Sequence, residues 1–284
     1  MLDRPAGDAA RDLNLGCGVL RFEGLTDAAA RTLDARWGEF VASPSSSPPD
    51  LVARAVRGDG GLWLPAWRTG EAYRIESDPS GGDFACSYHF ALARESAGRF
   101  KLSVVESHAE PFGRVLDNVA RYLVARLVSQ QDGLTLHGAR VLRSGRAWIF
   151  AGPSGSGKST ASRLSAPSAS LGDDFAVVVR DGTGFATCAL PFDNAEQAPP
   201  RVASGLIPLA AVVRLFKAPA HRVERPQGAM AVASLLACAA FRSVLPDIEG
   251  TTGETITRLA NSGAYLHLHA AMDPGFWPLL EGAA

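Results

Sequence analysis

The chain has 284 residues, of which 46% are hydrophobic and 20% charged, a balance typical of a globular protein with room for a large domain and a smaller one. Its formal net charge of −1 offers no cationic excess to displace counterions, which argues against a duplex nucleic-acid binder. No apolar run approaches the length that spans a bilayer, and the polar start Met1-Leu-Asp-Arg-Pro-Ala-Gly-Asp8 does not read as a signal peptide. Cys17, Cys86, Cys188 and Cys238 form no C-x-x-C pair, so buried, reduced thiols in a cytoplasmic protein are expected.

Along the chain, residues 1–12 read as a tail. A helix is predicted from Ala28 to Val41, and Ser43 to Pro49 reads as a loop. Alternating residues predict strands at Gly18–Phe22, Ala72–Glu76, Phe84–Leu92 and Phe100–Val105. Phe112 to Gln131 is a predicted amphipathic helix. Val115, Val119, Tyr122, Leu123 and Leu127 mark its apolar face, and Arg114, Asp117, Arg121 and Arg126 its other face. Residues 1–131 are thus expected to form an α+β domain with no catalytic constellation of its own, and 132–284 a second domain.

The second domain begins with Leu134–Leu142, a turn at Arg143–Arg146 and the apolar strand Ala147–Ala151, which together predict an antiparallel hairpin. The strand runs directly into Gly152-Pro-Ser-Gly-Ser-Gly-Lys-Ser159, which satisfies G-x-x-x-x-G-K-[ST], and Ser159–Leu164 reads as the start of a helix. In that setting Gly152, Gly155 and Gly157 let backbone N–H groups turn inward around phosphate oxygens. Ser154, Ser156 and Thr160 complete the cradle, and the helix start adds partial positive charge. Lys158 is expected to reach the terminal phosphates, from a partly exposed position, and the Ser159 hydroxyl to bind Mg²⁺. The inferred ligand is a nucleoside triphosphate, ATP or GTP, since no base-reading motif separates the two.

Asp173 and Asp174 follow at the end of a short segment. Such a pair can hold Mg²⁺, with Asp174 the expected ligand, and can take the proton of an attacking hydroxyl; spacing alone leaves open which of the two is the base. His137, 21 positions before Lys158 and followed by Gly138, is a candidate contact for the transferring phosphate or the metal. Strands are then predicted at Ala176–Val179 and Phe185–Leu190, and within Gly205–Phe216 after its proline. Helices are predicted at Gly228–Phe241 and Thr252–Ala260, a last strand at Ala264–His269, and a short helix over Asp273–Glu281.

The order His-Gly, hairpin, G-x-x-G-x-G-K-S-T, then Leu-Gly-Asp-Asp resembles the HPr kinase/phosphorylase family, which shares its fold with the ATP-dependent phosphoenolpyruvate carboxykinases. The resemblance covers about residues 134–270. It implies an α/β P-loop nucleotide-binding domain with a smaller N-terminal α+β domain concerned with acceptor recognition. It also implies Mg²⁺-dependent transfer of a γ-phosphate to a serine of a peptide or small protein. Two features depart from the family. Thr160 stands where HPr kinases carry a glutamate, and no Glu-x-Arg-Gly segment follows the Asp pair, where Pro191-Phe-Asp-Asn194 offers only Asp193 as a metal or acceptor contact. These departures point away from reverse phosphorylase activity and from HPr as acceptor. They bring the chain closer to divergent kinases beside peptide-modification genes, some similar to enzymes that phosphorylate lasso-peptide precursors. The alternatives are a nucleotide-sensing module without transfer activity and a carboxykinase-like small-molecule enzyme. A homo-oligomer is compatible with the sequence, and neither nucleic acid nor membrane is an expected partner.

Overall fold

The computed structural model describes residues 4–57, 63–64, 74–78, 83–105, 111–192, 205–241, 251–271 and 273–284. The fold is mixed α/β, with two large sheets and six α-helices among the described residues. The chain divides into two compact units, Met1–Leu127 with Phe241–Asp247, and Val128–Ala240 with Ile248–Ala284.

The first unit contains β1 (Ala9–Leu15), β2 (Gly18–Leu25), α1 (Asp27–Trp37), β3 (Val41–Ala42), β4 (Leu51–Val56), β5 (Glu76–Ser77), β6 (Phe84–Cys86), β7 (Phe90–Ser96), β8 (Arg99–Val104) and most of α2 (Phe112–Ser129). Its sheet runs β3-β1-β2-β4-β8-β7-β6-β5 and is mixed: β4 lies parallel to both β2 and β8, and the other neighbours are antiparallel. Helix α1 starts where the Thr26 side chain accepts a bond from the Ala29 N–H, and ends at Gly38, whose φ of 50° suits a residue without Cβ. The strand expected over Phe84–Leu92 is two strands, because Ser87 turns the chain and its N–H bonds back to Phe90 O at 2.9 Å. Ala72 and Tyr73 of the strand expected at 72–76 lie outside the described residues.

In α2 the expected polar face is only partly polar in its surroundings. Asp117 and Arg126 are buried. Asp117 accepts bonds from Arg36 Nε at 2.8 Å and Trp37 Nε1 at 2.9 Å, which offset the desolvation of its charge. The Arg126 guanidinium lies 5.2 Å from the centre of the Phe100 ring, and its Nη1 donates to the Tyr122 hydroxyl at 3.4 Å. Helical spacing identified the apolar stripe, but two charged residues that looked solvent-facing have found partners in the interior.

The second unit contains β9 (Leu134–Leu136), β10 (Gly138–Arg143), β11 (Arg146–Ala151), α3 (Lys158–Leu164), β12 (Ala169–Gly172), β13 (Ala176–Asp181), β14 (Gly184–Cys188), β15 (Leu206–Lys217), β16 (Arg222–Glu224), α4 (Gly228–Leu236), α5 (Thr251–Asn261), β17 (Tyr265–Ala270) and α6 (Trp277–Ala283). Strands β10 and β11 form the expected antiparallel hairpin. Strand β11 then pairs parallel with β15, and β15 parallel with β17. The strand expected after Pro208 begins before it, because residues 206–208 pair antiparallel with β14.

Alternation along β11 divides the core between two faces of the sheet. Ile149 and Ala151 pack with Ala231 and Leu235 of α4 and Ile256 and Leu259 of α5. Trp148 and Phe150 pack with Ala161 of α3 and Trp277 and Leu280 of α6. The result is helices over both faces of one sheet. Helix α4 stops short of the expected Phe241 because the following backbone bonds to the end of β9: Ala240 N to Thr135 O at 2.9 Å, and His137 N to Cys238 O at 2.9 Å.

Candidate functional site

Parallel strands β11, β15 and β17 end on the same side of the sheet, the edge at which open α/β sheets bind ligands. The glycine-rich loop leaves β11 there. Gly152 has φ 153°, and a Cβ on it would stand 2.6 Å from Ser156 Oγ, so a side chain is excluded by both strain and space. Gly155 (φ 75°) and Gly157 (φ 103°) have no neighbouring atom within 4 Å of a notional Cβ, and their surface is open. Gly157 is the N-cap of α3 and carries the chain from the loop into the helix.

A cavity of about 490 Å³ lies over this loop. Ser154, Gly155, Ser156, Gly157, Lys158, Ser159 and Thr160 line it, and so does Asp174, brought back from beyond β12. The structure therefore joins two motifs that are separate in the sequence. Asp174 has φ 67°, a left-handed conformation that Asp and Asn tolerate better than most residues. Its N–H donates to Asp173 Oδ1 at 2.8 Å, so Asp173 helps fix the turn that aims Asp174 at the loop. Asp173 itself does not line the cavity, and neither does Gly152 or His137. His137 is exposed at the junction of β9 and β10, and its carbonyl accepts the Gly152 N–H at 3.3 Å, so it adjoins the loop through its backbone. Asp193 lies outside the described residues.

Lys158 is not partly exposed as expected. It retains 9% of its surface, and its Nζ donates to Gly152 O and Pro153 O, each at 3.1 Å. The loop curls around its own lysine because these carbonyls converge on the ammonium.

Several residues at this edge carry no sequence motif. Leu164, Leu215, Phe216, Ala218, Ala270 and Phe276 form an apolar wall of the cavity from three distant segments. On the α4 face, Ser234 Oγ bonds Tyr265 OH at 2.8 Å and His267 Nε2 at 2.7 Å, and accepts from Arg214 Nη1 at 2.6 Å. Burial, together with the Arg214 charge, lowers the pKa of His267 and keeps it neutral. Burial also pushes the Tyr265 hydroxyl up to about 12, and it raises the Cys238 thiol although Arg214 and Lys158 both pull that thiol down. The sequence signals for this network were a single arginine inside the apolar run of β15 and histidines at alternate positions of β17.

The residues at the loop fit a phosphate chain with a divalent cation. Ser156 Oγ is buried and has no hydrogen-bond partner among the described residues, and Lys158 bonds only to carbonyls there. The Ser159 hydroxyl shares the cavity with the Asp174 carboxylate, an oxygen pair of the kind Mg²⁺ takes. Among the described residues no group of three His, Cys, Asp or Glu side chains is poised to hold a metal. One or two protein ligands suffice for Mg²⁺ when phosphates and water complete its shell.

Among known families, the one described as SynChlorMet cassette protein ScmC has a model that matches residues 114–251, just under half of the chain. The match includes the glycine-rich loop and the Asp pair and ends at the start of α5. No curated protein matches the chain.

Proposed function

We propose that the chain is a Mg²⁺-dependent kinase that transfers the γ-phosphate of a nucleoside triphosphate, ATP or GTP, to a hydroxyl, with a serine of a peptide or small protein as acceptor. The observation that carries the reading is the single cavity in which Ser154–Thr160, including Lys158 and Ser159, face Asp174. The domain type of the second unit, a P-loop domain like that of HPr kinase, rests on the same loop, the hairpin before it and the Asp pair after it. The first unit, whose described residues show no such constellation, is assigned to acceptor recognition.

In this reading the loop amides and Lys158 bind the phosphates, and Ser159 and Asp174 hold Mg²⁺. The metal supplies charge neutralisation at the phosphate oxygens. Asp173, which adjoins the cavity through Asp174 rather than lining it, is assigned the hydroxyl proton: its Oδ2 takes no hydrogen bond from a described residue, while its Oδ1 stays on the Asp174 N–H. As the acceptor oxygen bonds to phosphorus, the bond from phosphorus to the β-phosphate bridging oxygen breaks, and the nucleoside diphosphate leaves with that electron pair. His137, exposed and joined to Gly152 through its backbone, is assigned a contact to the transferring phosphate. Electrostatic preorganisation carries most of the rate.

The test is incubation with ATP or GTP, Mg²⁺ and short serine peptides, followed by mass measurement. One added phosphate on a peptide serine, lost when serine is replaced by alanine, is expected. Nucleotide binding with no transfer to any hydroxyl would favour the sensing alternative, and no nucleotide binding would overturn the proposal.

A further inference from the structure

Arg214 is the one charged residue within the buried stretch Leu209–Leu215 of β15. It stands in register with Ala151, the residue before Gly152, so it flanks the root of the loop. Its Nη1 donates to Ser234 O at 2.9 Å and Ser234 Oγ at 2.6 Å, and its guanidinium lies 5.0 Å from the centre of the Phe216 ring. None of these partners is an acid. Among the described residues Arg214 makes no ion pair, and its Nε is buried without a hydrogen-bond partner.

A half-buried cation without a counter-charge carries a desolvation cost that no opposite charge offsets. Fixing such a group in place makes physical sense when an anion arrives to meet it. Ser234 does the fixing, and it is locked in turn by Tyr265 and by a neutral His267. Lys158 also lacks an acidic partner among the described residues, and Lys217 adds a further cation to the cavity lining. Lys158 and Arg214 flank the root of the loop: Lys158 Nζ bonds Gly152 O at 3.1 Å, and Arg214 stands in register with Ala151, the residue before that glycine. Arg214 points to the α4 face of the sheet, opposite the face covered by α3 and α6, and so stands behind the lining of the cavity rather than in it.

We propose that Arg214 is a second cationic contact for the terminal phosphoryl group, reaching it from the α4 face, with Ser234 as its positioning residue. The inference rests on the triphosphate reading above. Two cations on either side of Gly152 would share the charge on the phosphoryl oxygens as the bond to the leaving diphosphate breaks.

The experiment is calorimetric titration of the full chain with ATP, ADP and tripolyphosphate, each with Mg²⁺, for wild type, Arg214→Met, Arg214→Lys and Ser234→Ala. Arg214→Met is expected to weaken ATP and tripolyphosphate by about 10- to 100-fold while ADP stays within about threefold, the size of losing one charged contact. Arg214→Lys, which keeps charge but loses the fork, is expected to recover part of that loss, and Ser234→Ala to show a smaller loss in the same direction. The ligand-free Arg214→Met chain should melt no lower than wild type. An unchanged ATP-to-ADP preference, an equal loss for ADP, or a markedly lower melting temperature would each overturn the role of Arg214. If wild type binds neither ATP nor tripolyphosphate, the triphosphate reading itself falls, which is a separate result.

Discussion

Replacing Lys158 by alanine separates a ligand-binding lysine from one that merely pins the loop. In the folded chain Nζ makes two bonds of 3.1 Å, to Gly152 O and Pro153 O, and the side chain is nine-tenths buried. A hydrogen bond from a charged group contributes about 1.5–3 kcal/mol, so two would suggest about 3–6 kcal/mol before the cost of burying the ammonium is counted. That cost is several kcal/mol for an ion with no opposite charge beside it, and the two nearly cancel. Lys158→Ala is therefore expected to shift stability by about 1–2 kcal/mol, a few degrees in melting temperature. Triphosphate binding behaves differently, because the phosphates neutralise the charge and the burial cost no longer offsets the bonds. A loss of about 3–4 kcal/mol, or 10²- to 10³-fold in affinity, is expected. Calorimetric titration with ATP and Mg²⁺ measures the second quantity and a melting curve the first. An alanine variant that binds ATP within threefold of wild type would refute the role of Lys158. One that melts ten or more degrees lower would show that the lysine is there to hold the loop.

The Asp pair should divide by role and by backbone. Asp174→Asn is expected to raise the Mg²⁺ requirement at nearly unchanged stability, whereas Asp174→Ala should also lose about 1 kcal/mol, because alanine tolerates φ 67° poorly; Mg²⁺ titration and melting curves check both. Asp173→Asn should lower kcat by about 10²-fold or more with nucleotide affinity retained, and equal effects at both positions would refute the division. Gly152→Ala should cost about 1–3 kcal/mol and weaken nucleotide binding, since its φ of 153° and the Ser156 Oγ 2.6 Å from the new Cβ both oppose it; unchanged melting would contradict the loop geometry. His267 predicts a pH effect: its folded pKa is lowered, so below the ordinary imidazole value of 6.5 the unfolded chain takes a proton that the folded chain refuses. That part of the stability is complete above this pH and is lost as pH falls toward the folded value. His267→Gln should flatten the decline in melting temperature between about pH 7.5 and 5.5.

What the sequence made legible was local. The hairpin, the loop and the start of α3 are set by alternation, glycine placement and a motif that spans eight residues, and each occurs within a residue or two of its expected place. Partnerships across the fold were not legible. Leu134–Leu142 reads as one strand, yet its halves pair with different neighbours and part at His137, a choice made by the backbone near Cys238 rather than by any local signal. Asp117 and Arg126 look solvent-facing by helical spacing, and their burial depends on Arg36, Trp37 and Phe100, far away in the chain. The apolar wall of the cavity escaped notice for the same reason: leucine, alanine and phenylalanine carry no chemical signature until the fold gathers them.

Strand β15 places Arg214 and Leu215 on opposite faces of the sheet, the first toward Ser234 of α4 and the second among the residues packed against α3 and α6. Because neighbouring residues on a strand point to opposite sides, point substitutions can change Leu215 or Arg214 one at a time, so these two are free to vary independently over evolutionary time. A change in length is another matter. One residue inserted or deleted upstream of Arg214, without a compensating bulge, would turn the arginine into the apolar layer and a leucine toward the buried hydroxyls. The bulge already present where β15 passes from Leu209 to Ala211 against Ala147 and Trp148 fixes that reading frame. Among homologous chains, this segment should accordingly tolerate changes of residue far more readily than changes of length.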